Sequence, residues 1–382
     1  MKALFVAHSC ELSGANRSFL SNIIALNNHM DITVLVNKKS GPLQDELIAH
    51  GVNYIYIPYS WWYAHARNKW YKRIIRYGID FLKYYVCRIV SYCYLKRIDL
   101  SIYDVVYTNT STVDIGARIA LKNKIPHIWH IREFGNADFG FLPVVSRYSQ
   151  KKIFKKSARI ILISKALEYQ YSFIESEKRI VIYNGFNISK LISKQDHKLN
   201  INLVNVLITG QVSESKGQVQ GIRAVANLRE KGINIELTLA GNVDQDYLKA
   251  ACKKLGDTKK WLHVLGPVSD MKALRESMDL ELVCSRSEAF GRVTIEAMLH
   301  NIPVIGAHTG GTPELISDCK TGMLFEYGNV NQLEEKVLLL IKTPSLYNKI
   351  QLKARVYASQ FTLEHTVSQI LKQIYSVVNK KF

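Results

Sequence analysis

Two glutamates eight positions apart, Glu288 and Glu296, have the residue type and setting best suited to chemistry in this chain. The apolar run 282–285 before them is typical of the end of a buried strand, and 294–299 predicts a helix. Phe290 and Gly291 would form the turn between the two elements. Gly291 allows a ligand to approach the backbone closely, and a helix start offers N–H groups to a phosphate. Because a carboxylate can accept both hydrogen bonds of a vicinal diol, this loop suits a nucleotide sugar. Acidic residues near a helix start also complement the helix dipole, so the pair alone leaves its function open.

Three other positions could contribute to such a site. The loop 9–17 after the first predicted strand has one glycine, Gly14, and lacks the glycine pattern of a dinucleotide-binding loop. A phosphate could still bind at the helix start beside Gly14. Lys216 lies between a predicted strand and a predicted helix, where it could reach a phosphate or simply face water. His130 ends an apolar run, where a histidine is most often a hydrogen-bonded core residue.

The sequence offers little for a metal or a disulfide framework. The six cysteines are scattered, with none in a Cys-x-x-Cys pair. Asp244 and Asp246 form an Asp-x-Asp pair, but we interpret Asp246 as the N-cap of a helix. Residues 310–314 combine two glycines with Pro313, which suits the first position of a helix. We expect those glycines to allow close approach of a ligand.

Length and composition favour two folded domains. The chain has 382 residues, of which 47% are hydrophobic. Strand-like and helix-like segments alternate from residue 3 to 171, and the pattern restarts near Leu203. Such alternation predicts βαβ units and a parallel sheet in each half, with a ligand cleft between the two. The amino terminus is interpreted as a strand rather than a signal peptide, and no apolar stretch is long enough for a spanning helix, so we expect a cytoplasmic protein.

The segment from 61 to 99 differs from both halves. Basic and aromatic residues interleave in it at helical spacing, and the whole chain carries a formal charge of +19. This pattern favours contact with an anionic membrane surface. A partly buried insertion with solvated cations and a nucleic-acid surface are the alternatives.

Taken together, these motifs resemble the retaining glycosyltransferase family 4, also called glycosyl transferases group 1. The matching residues run in the family's order over nearly the whole chain: Gly14, His130, Asn184-Gly185, Gly210, Lys216-Gly217, Ala240-Gly241, Leu265-Gly266, Glu288 with Glu296, residues 310–314 and Thr321-Gly322. The resemblance implies the α/β GT-B fold, with two Rossmann-like domains whose parallel sheets face an interdomain cleft. Residues 1–190 would form the acceptor-binding domain with the insertion at 61–99. Residues 200–360 would bind the nucleotide sugar, and a helix in 361–382 would cross back to the first domain.

The resemblance also implies a role for each site residue. Glu296 would bind the ribose, while Glu288, His130 and Lys216 would line the transfer site as catalytic residues. The donor's diphosphate would be bound by Lys216 and by the backbone at Gly14 and at Phe290, Gly291 and Arg292; Gly266 and Val268 would border the base. In one departure, Gln211 stands where the family usually has an arginine, which removes one positive charge from the diphosphate site.

The implied activity is retaining transfer of a sugar from a nucleotide-diphosphate sugar to a lipid-linked glycan, in the synthesis of a cell-surface polysaccharide. Neither a metal cofactor nor a nucleic-acid partner is expected, and the protein would act at the inner face of the cell membrane. A nucleotide-sugar epimerase of similar fold is one alternative. A catalytically silent subunit of a transferase complex is the other, and Gln211 is the feature that favours it.

Overall fold

A computed structural model describes residues 1–64, 70–193, 197–253 and 255–379. The chain divides into two compact units. Unit 1 consists of Met1–Gly185 together with Leu363–Phe382, and unit 2 of Phe186–Thr362.

Unit 1 contains a seven-stranded sheet in the order β3-β2-β1-β5-β6-β8-β9, and β4 pairs separately with β7. Its strands are β1 (Lys2–Val6), β2 (Asp31–Val36), β3 (Asn53–Tyr56), β4 (Tyr63–Ala64), β5 (Val105–Asn109), β6 (His127–Ile131), β7 (Leu142–Pro143), β8 (Arg159–Leu162) and β9 (Arg179–Val181). All pairs in the larger sheet are parallel. Because helices cover both faces of such a sheet, β5 and β6 are buried along their whole length.

The helices that follow these strands hold the strand ends in place. They are α1 (Gly14–Leu26), α2 (Pro42–Ala49), α3 (Trp70–Leu95), α4 (Ile115–Asn123), α5 (Asn136–Phe139), α6 (Arg147–Lys155) and α7 (Lys165–Gln170).

Unit 2 contains a six-stranded parallel sheet in the order β12-β11-β10-β13-β14-β15. Its strands are β10 (Val204–Thr209), β11 (Ile235–Ala240), β12 (Leu262–Gly266), β13 (Leu280–Val283), β14 (Val304–Ala307) and β15 (Met323–Phe325). Its helices are α8 (Ile188–Leu191), α9 (Gln218–Glu230), α10 (Gln245–Cys252), α11 (Met271–Glu276), α12 (Arg292–Leu299), α13 (Thr312–Leu315), α14 (Val330–Lys342) and α15 (Pro344–Ala358).

The last helix, α16 (Leu363–Val378), belongs to unit 1. Its residues Val367, Ile370 and Ile374 join the hydrophobic core that contains Phe19 and Ile23 of α1. Thr366 donates a hydrogen bond of 3.0 Å to the carbonyl of Tyr183. The core of unit 1 is therefore built from both ends of the chain.

The structure contains both parallel sheets that the sequence predicts, and it adds elements that the sequence analysis missed. The helices α6 and α15 and the strand β9 are among the elements that were not predicted. Most residues of α6 are basic or polar, which hides the apolar periodicity of a helix whose buried side chains are only Gln150 and Phe154. The sequence pattern also predicts a helix over 112–122, but α4 begins only at Ile115. Thr110 adopts a left-handed backbone before it, and its hydroxyl forms a hydrogen bond with that of Thr112.

Candidate active site

The loop that carries Glu288 connects β13 to α12. The helix begins at Arg292, two residues earlier than the sequence predicts, and Gly291 is its N-cap. Gly291 has a φ of 100°, in the left-handed region that favours glycine. The first turn of the helix therefore receives no side-chain hydrogen bond from its N-cap. The turn thus depends on the backbone conformation of Gly291 and not on a capping side chain. This fits the predicted phosphate-binding role of the helix start.

Glu288 and Lys216, which lie far apart in sequence, form an ion pair. The Nζ atom of Lys216 lies 2.7 Å from Oε2 of Glu288, and Ser285 donates to the same oxygen at 3.1 Å. The two side chains are 30% and 15% exposed, so both reach solvent at the carboxyl edge of the sheet. The pairing arises because β10 and β13 are neighbours in the sheet, so the loops that follow them meet.

Glycines let the loops around this ion pair approach one another. A Cβ atom at Gly217 would lie 2.2 Å from the Cys284 carbonyl oxygen, and one at Gly310 would lie 2.4 Å from that of Glu288. Gly311 donates a 2.6 Å hydrogen bond to the same Glu288 oxygen. The glycines of 310–314 thus approach the backbone of the Glu288 loop and fix its position, and their close approach to a ligand stays a prediction.

Glu296 is held by two arginines. Its Oε2 atom lies 3.2 Å from Arg275 and its Oε1 atom 3.3 Å from Arg292. Arg275 is buried and also pairs with the buried Glu281 at 3.0 Å. Burial lowers the pKa of Arg275, but the carboxylates of Glu281 and Glu296 more than offset this and raise that pKa above its usual value. A carboxylate has about four acceptor sites, so Glu296 keeps capacity for a diol.

The aromatic ring of Phe290 is a core element. It is 2% exposed and lies 6.4 Å from the ring of Phe186 and 6.0 Å from that of Phe361. The guanidinium of Arg292 lies 4.6 Å from the centre of the Phe186 ring. The side chain of Phe290 thus anchors the loop, and only its backbone suits the predicted diphosphate contact.

The predicted base-binding residues follow a neighbouring strand. Gly266 ends β12 with a φ of 69°, and its carbonyl accepts a 2.7 Å hydrogen bond from Gly241. Val268 follows it and is half-buried. A Cβ atom at Gly241 would lie 2.1 Å from the Gly210 carbonyl oxygen, so the ends of three strands converge. Ligands of parallel α/β sheets bind at such carboxyl edges. The side chain of Gln211 is exposed here.

The remaining two predicted residues, Gly14 and His130, lie in unit 1. Gly14 is exposed and begins the helix α1, whose N-cap Ser13 makes no side-chain hydrogen bond. His130 is 1% exposed and lies in β6 beside the buried side chains of Tyr107, Asn109 and Arg132. The sequence analysis did not identify Tyr107 or Asn109 as site residues. The sequence pattern predicts a strand over 105–108, so Tyr107 lies in it and Asn109 directly follows it.

A second buried histidine, His8, follows β1 in the same polar cluster. Its Nδ1 atom lies 3.4 Å from the amide nitrogen of Asn109. Burial lowers the pKa of His8 to about 4, with a further contribution from the charge of Arg132. Both histidines at this sheet edge are therefore neutral at physiological pH.

The interpretation of the Asp-x-Asp pair is corrected in one respect. Asp244, rather than Asp246, is the N-cap of α10, and it accepts hydrogen bonds of 3.1 Å from the backbone of Asp246 and of Tyr247. Within the described part of the chain, His, Cys, Asp and Glu side chains form no group of three that could hold a metal ion.

The insertion is a single helix, α3, of 26 residues. Apolar side chains exposed by 49% to 69% form a stripe along its outer face: Ile74, Ile75, Ile79, Leu82, Val86 and Ile89. Asp80, Tyr84 and Ser91 lie on its buried face. Residues 65–69 of the segment, and the side chain of Trp70, lie outside the described part of the structure.

Of the two tryptophans before α3, Trp62 is not a surface anchor. Trp62 is fully buried and donates to the Ser111 carbonyl, and the half-buried Trp61 donates to the carbonyl of His8. The expectation that these two rings contact a membrane is therefore wrong for Trp62. Among the described residues, no helix combines the length and the apolar character needed to cross a membrane.

A cavity of about 120 Å³ lies between residues 59–63 and α3. Its lining combines three aromatic side chains with polar and charged ones: Asn37, Tyr59, Ser60, Trp61, Tyr63, Arg76, Asp80 and Lys83. Arg76 forms a 2.9 Å ion pair with Asp80, so the cavity wall presents a positively charged hydrogen-bond donor and a negatively charged acceptor.

Comparison with known proteins identifies the class of molecule. The Anabaena protein HepE, solved in complex with UDP-glucose, matches 98% of this chain with 100% of its own, at a TM-score of 0.78 and 22% identity. The two parallel α/β units thus have the GT-B fold, and the predicted fold class is confirmed.

The sequence comparisons agree with the resemblance that the motifs predict. Residues 190–357 match the family described as glycosyl transferases group 1. It is 29% identical over 262 residues to an uncharacterized glycosyltransferase of Methanocaldococcus jannaschii, covering 68% of this chain and 70% of that protein. It is also 25% identical to the capsular polysaccharide biosynthesis glycosyltransferase CapM of Staphylococcus aureus, over 58% of this chain and 62% of CapM.

Proposed function

We propose that this glycosyltransferase is a retaining family 4 enzyme that moves a sugar from a nucleotide-diphosphate sugar to a glycan acceptor. The observation that carries the proposal is the Lys216–Glu288 ion pair at the meeting point of two loops, with the Glu296 carboxylate on the adjoining helix. UDP-glucose bound to HepE, a protein of the same fold, supports a nucleotide sugar as the donor.

In the proposed reaction, fixed positive charge stabilises the leaving diphosphate. Lys216 is placed to bind it as negative charge develops, and Arg292 and the start of α12 would assist. Glu296 would accept the hydroxyls of the ribose. Glu288 would position the donor sugar, since its carboxylate is already engaged by Lys216 and Ser285 and is a poor nucleophile in that state. Attack by the acceptor on the leaving-group face would then retain the anomeric configuration.

The donor and the reaction can be tested together. Purified protein would be screened for the nucleotide sugar that raises its melting temperature most, and that donor would then be incubated with and without acceptor. Transfer that needs an acceptor supports the proposal. Conversion of the donor without an acceptor would indicate the epimerase instead, and absence of nucleotide release in all mixtures would indicate a silent subunit.

We also propose that no metal takes part. The cation Lys216 and the helix start at Arg292 would balance the diphosphate charge, and Asp244 is used as a helix cap. Turnover in excess EDTA should equal turnover in Mg²⁺. Complete loss in EDTA with recovery on adding Mg²⁺ or Mn²⁺ would contradict the metal-free reaction.

We further propose that α3 attaches the enzyme to an anionic bilayer, where the acceptor is a lipid-linked glycan of a cell-surface polysaccharide. The exposed apolar stripe would lie in the headgroup region, and the exposed Lys72, Arg73 and Lys83 on the same helix would attract anionic lipid. The adjacent cavity, with its aromatic and hydrogen-bonding lining, suits the first sugar of such an acceptor. The capsular function in the name of the relative CapM supports a polysaccharide product.

A vesicle experiment tests the membrane attachment. The wild type should sediment with phosphatidylglycerol vesicles at low salt and less so at high salt. Replacing Leu82 and Val86 with aspartate should abolish binding. The matched control is the similarly exposed pair Leu352 and Val356, spaced alike on α15, whose replacement by aspartate should leave binding intact. Equal loss in both double variants, or no wild-type binding, would contradict the proposal.

A further inference from the structure

The two ring nitrogens of the buried His130 have different surroundings. The Nδ1 atom lies 2.5 Å from the hydroxyl oxygen of Tyr107 and 3.2 Å from a terminal nitrogen of Arg132. The Nε2 atom is buried and has no hydrogen-bond partner among the described residues. Because buried polar atoms are nearly always hydrogen-bonded, a lone nitrogen beside a satisfied one points to a missing ligand.

The chemistry of the neighbours assigns the proton on the ring. A guanidinium carries only donors, so Nδ1 must accept from Arg132 and cannot itself carry a proton. Burial lowers the pKa of His130 well below its usual value, and Arg132 lowers it further, so the ring is neutral with one proton. Burial also raises the pKa of Tyr107, which leaves its hydroxyl protonated and able to donate to the same nitrogen. The single imidazole proton must then lie on Nε2.

The orientation of Arg132 is itself fixed by neutral groups. Its Nε atom donates to the side-chain oxygen of Asn109 at 2.6 Å, and one terminal nitrogen donates to that of Asn184 at 2.5 Å. Asn109 ends β5, Arg132 follows β6 and Asn184 follows β9, and all three side chains are buried. The arginine is therefore held at three points of one sheet edge and keeps its donor on Nδ1.

We propose that Arg132 and Tyr107 are positioning residues that hold His130 in its Nε2–H form, so that His130 donates a hydrogen bond to an oxygen of the bound sugar and does not act as a base. This inference rests on the proposed function, which supplies the sugar. Since the ring stays neutral, the donor is present at every pH at which the enzyme works.

Nitrogen-15 NMR of the full chain, with labelled histidine, reads the tautomer directly. The His130 signals would be assigned by their absence in His130→Gln. We expect Nε2 protonated and Nδ1 unprotonated at pH 6 and at pH 8, and Arg132→Met should shift the ring toward the other tautomer because Nδ1 can then donate to Tyr107. A protonated Nδ1 in the wild type would overturn the proposal without any reference to activity.

Turnover separates positioning from a general structural role. The amide nitrogen introduced by His130→Gln can replace an Nε2 donor, whereas the one introduced by His130→Asn corresponds in position to Nδ1. His130→Gln should therefore keep at least about tenfold more activity than His130→Asn, which is a difference of about 1.4 kcal/mol in the barrier. Higher activity for His130→Asn would overturn the proposal.

A double variant tests the link between the two residues. Arg132→Met should lower turnover when His130 is present but have little further effect in the His130→Gln background, which has no tautomer to select. Equal loss in both backgrounds would overturn the proposal. If the Nε2–H form is found but no nucleotide sugar is turned over, the proposed function fails and the positioning by Arg132 stands.

Discussion

The candidate site of unit 2 and the His130 sheet edge of unit 1 bury charged groups in opposite ways. In unit 2 the carboxylates are matched to cations: Glu288 to Lys216, and Glu281 and Glu296 to Arg275. In unit 1 the buried Arg132 donates to the neutral side chains of Asn109 and Asn184, and the buried Glu133 accepts from the backbone and hydroxyl of Ser111.

This difference indicates what each unit is built to do. Removing one member of a buried ion pair leaves an uncompensated charge, so we expect unit 2 to tolerate the loss of one such partner poorly. In unit 1 the hydrogen bonds to uncharged side chains fix the direction of each donor. They do not offset the effect of burial on the pKa of the buried titratable groups. The four predictions below test this contrast, from the largest expected effect to the smallest.

The largest effect is expected from Arg275→Met. It leaves Glu281 fully buried without its ion-pair partner, so the free energy of unfolding should fall by about 3–5 kcal/mol in urea. The control Arg292→Met removes the other, partly exposed partner of Glu296 and should cost about 1 kcal/mol or less. Similar costs for the two variants would show that burial of the ion pair does not set its importance.

Lys216→Ala should lower turnover roughly 10²–10³-fold at saturating donor, the usual cost of removing one donor that stabilises developing negative charge. Lys231 provides a matched control. Its ion pair with Glu334 is 2.6 Å long but lies at the far end of α9, so Lys231→Ala should leave turnover unchanged. A wild-type rate for Lys216→Ala would make that lysine a structural partner of Glu288 only.

Glu296→Gln should weaken donor binding by about 1–3 kcal/mol in calorimetry, because charged acceptors bind hydroxyls more strongly than neutral ones. The amide oxygen still accepts from Arg275, so folding is preserved better than with alanine. Glu236→Gln, which alters a pair with His263 at the start of β11, serves as the control and should not change affinity. Unchanged donor affinity for Glu296→Gln would exclude this carboxylate from the ribose site.

The smallest effect concerns the pH dependence of unit 1. Burial raises the pKa of Glu133 to about 7, above its value in the unfolded chain of about 4.3. The folded state therefore binds the extra proton between these values, and its stability falls as pH rises through 7. Relative to Glu133→Gln, the wild type should lose about 1 kcal/mol of stability between about pH 6 and pH 8. Parallel pH curves for the two proteins would mean that Glu133 stays ionised while buried.

The sequence predicts most strands of the two parallel sheets but only part of the site. The sequence pattern predicts strands over 31–36 and 204–209, which are the bounds of β2 and β10, because apolar runs between turn residues indicate buried strands. The Glu288 loop was found because its residues are contiguous. The contact of Lys216 with Glu288 depends on β10 and β13 being neighbours, which no local pattern encodes.

Buried polar residues were the hardest to predict. Arg275 lies on the short helix α11. Arginine is a residue type usually exposed at the surface, yet this side chain is 1% exposed. Asn109 and Tyr107 belong to a strand of ordinary appearance, and only the sheet register brings them beside His130. In each case the partners that make burial tolerable lie on a different helix or strand, and propensity and periodicity within one element do not predict such contacts.

The position of α16 has a consequence for how the protein is made. A ribosome releases the residues of unit 1 up to Gly185 first, but the apolar side chains that complete their core arrive only after all of unit 2 has been synthesised. Nascent unit 1 would thus wait with an open hydrophobic surface beside Phe19 and Ile23, while unit 2, contiguous in sequence, can fold as soon as it emerges. The core of unit 1 is therefore completed only at the end of synthesis, whereas the whole core of unit 2 comes from one contiguous stretch of chain.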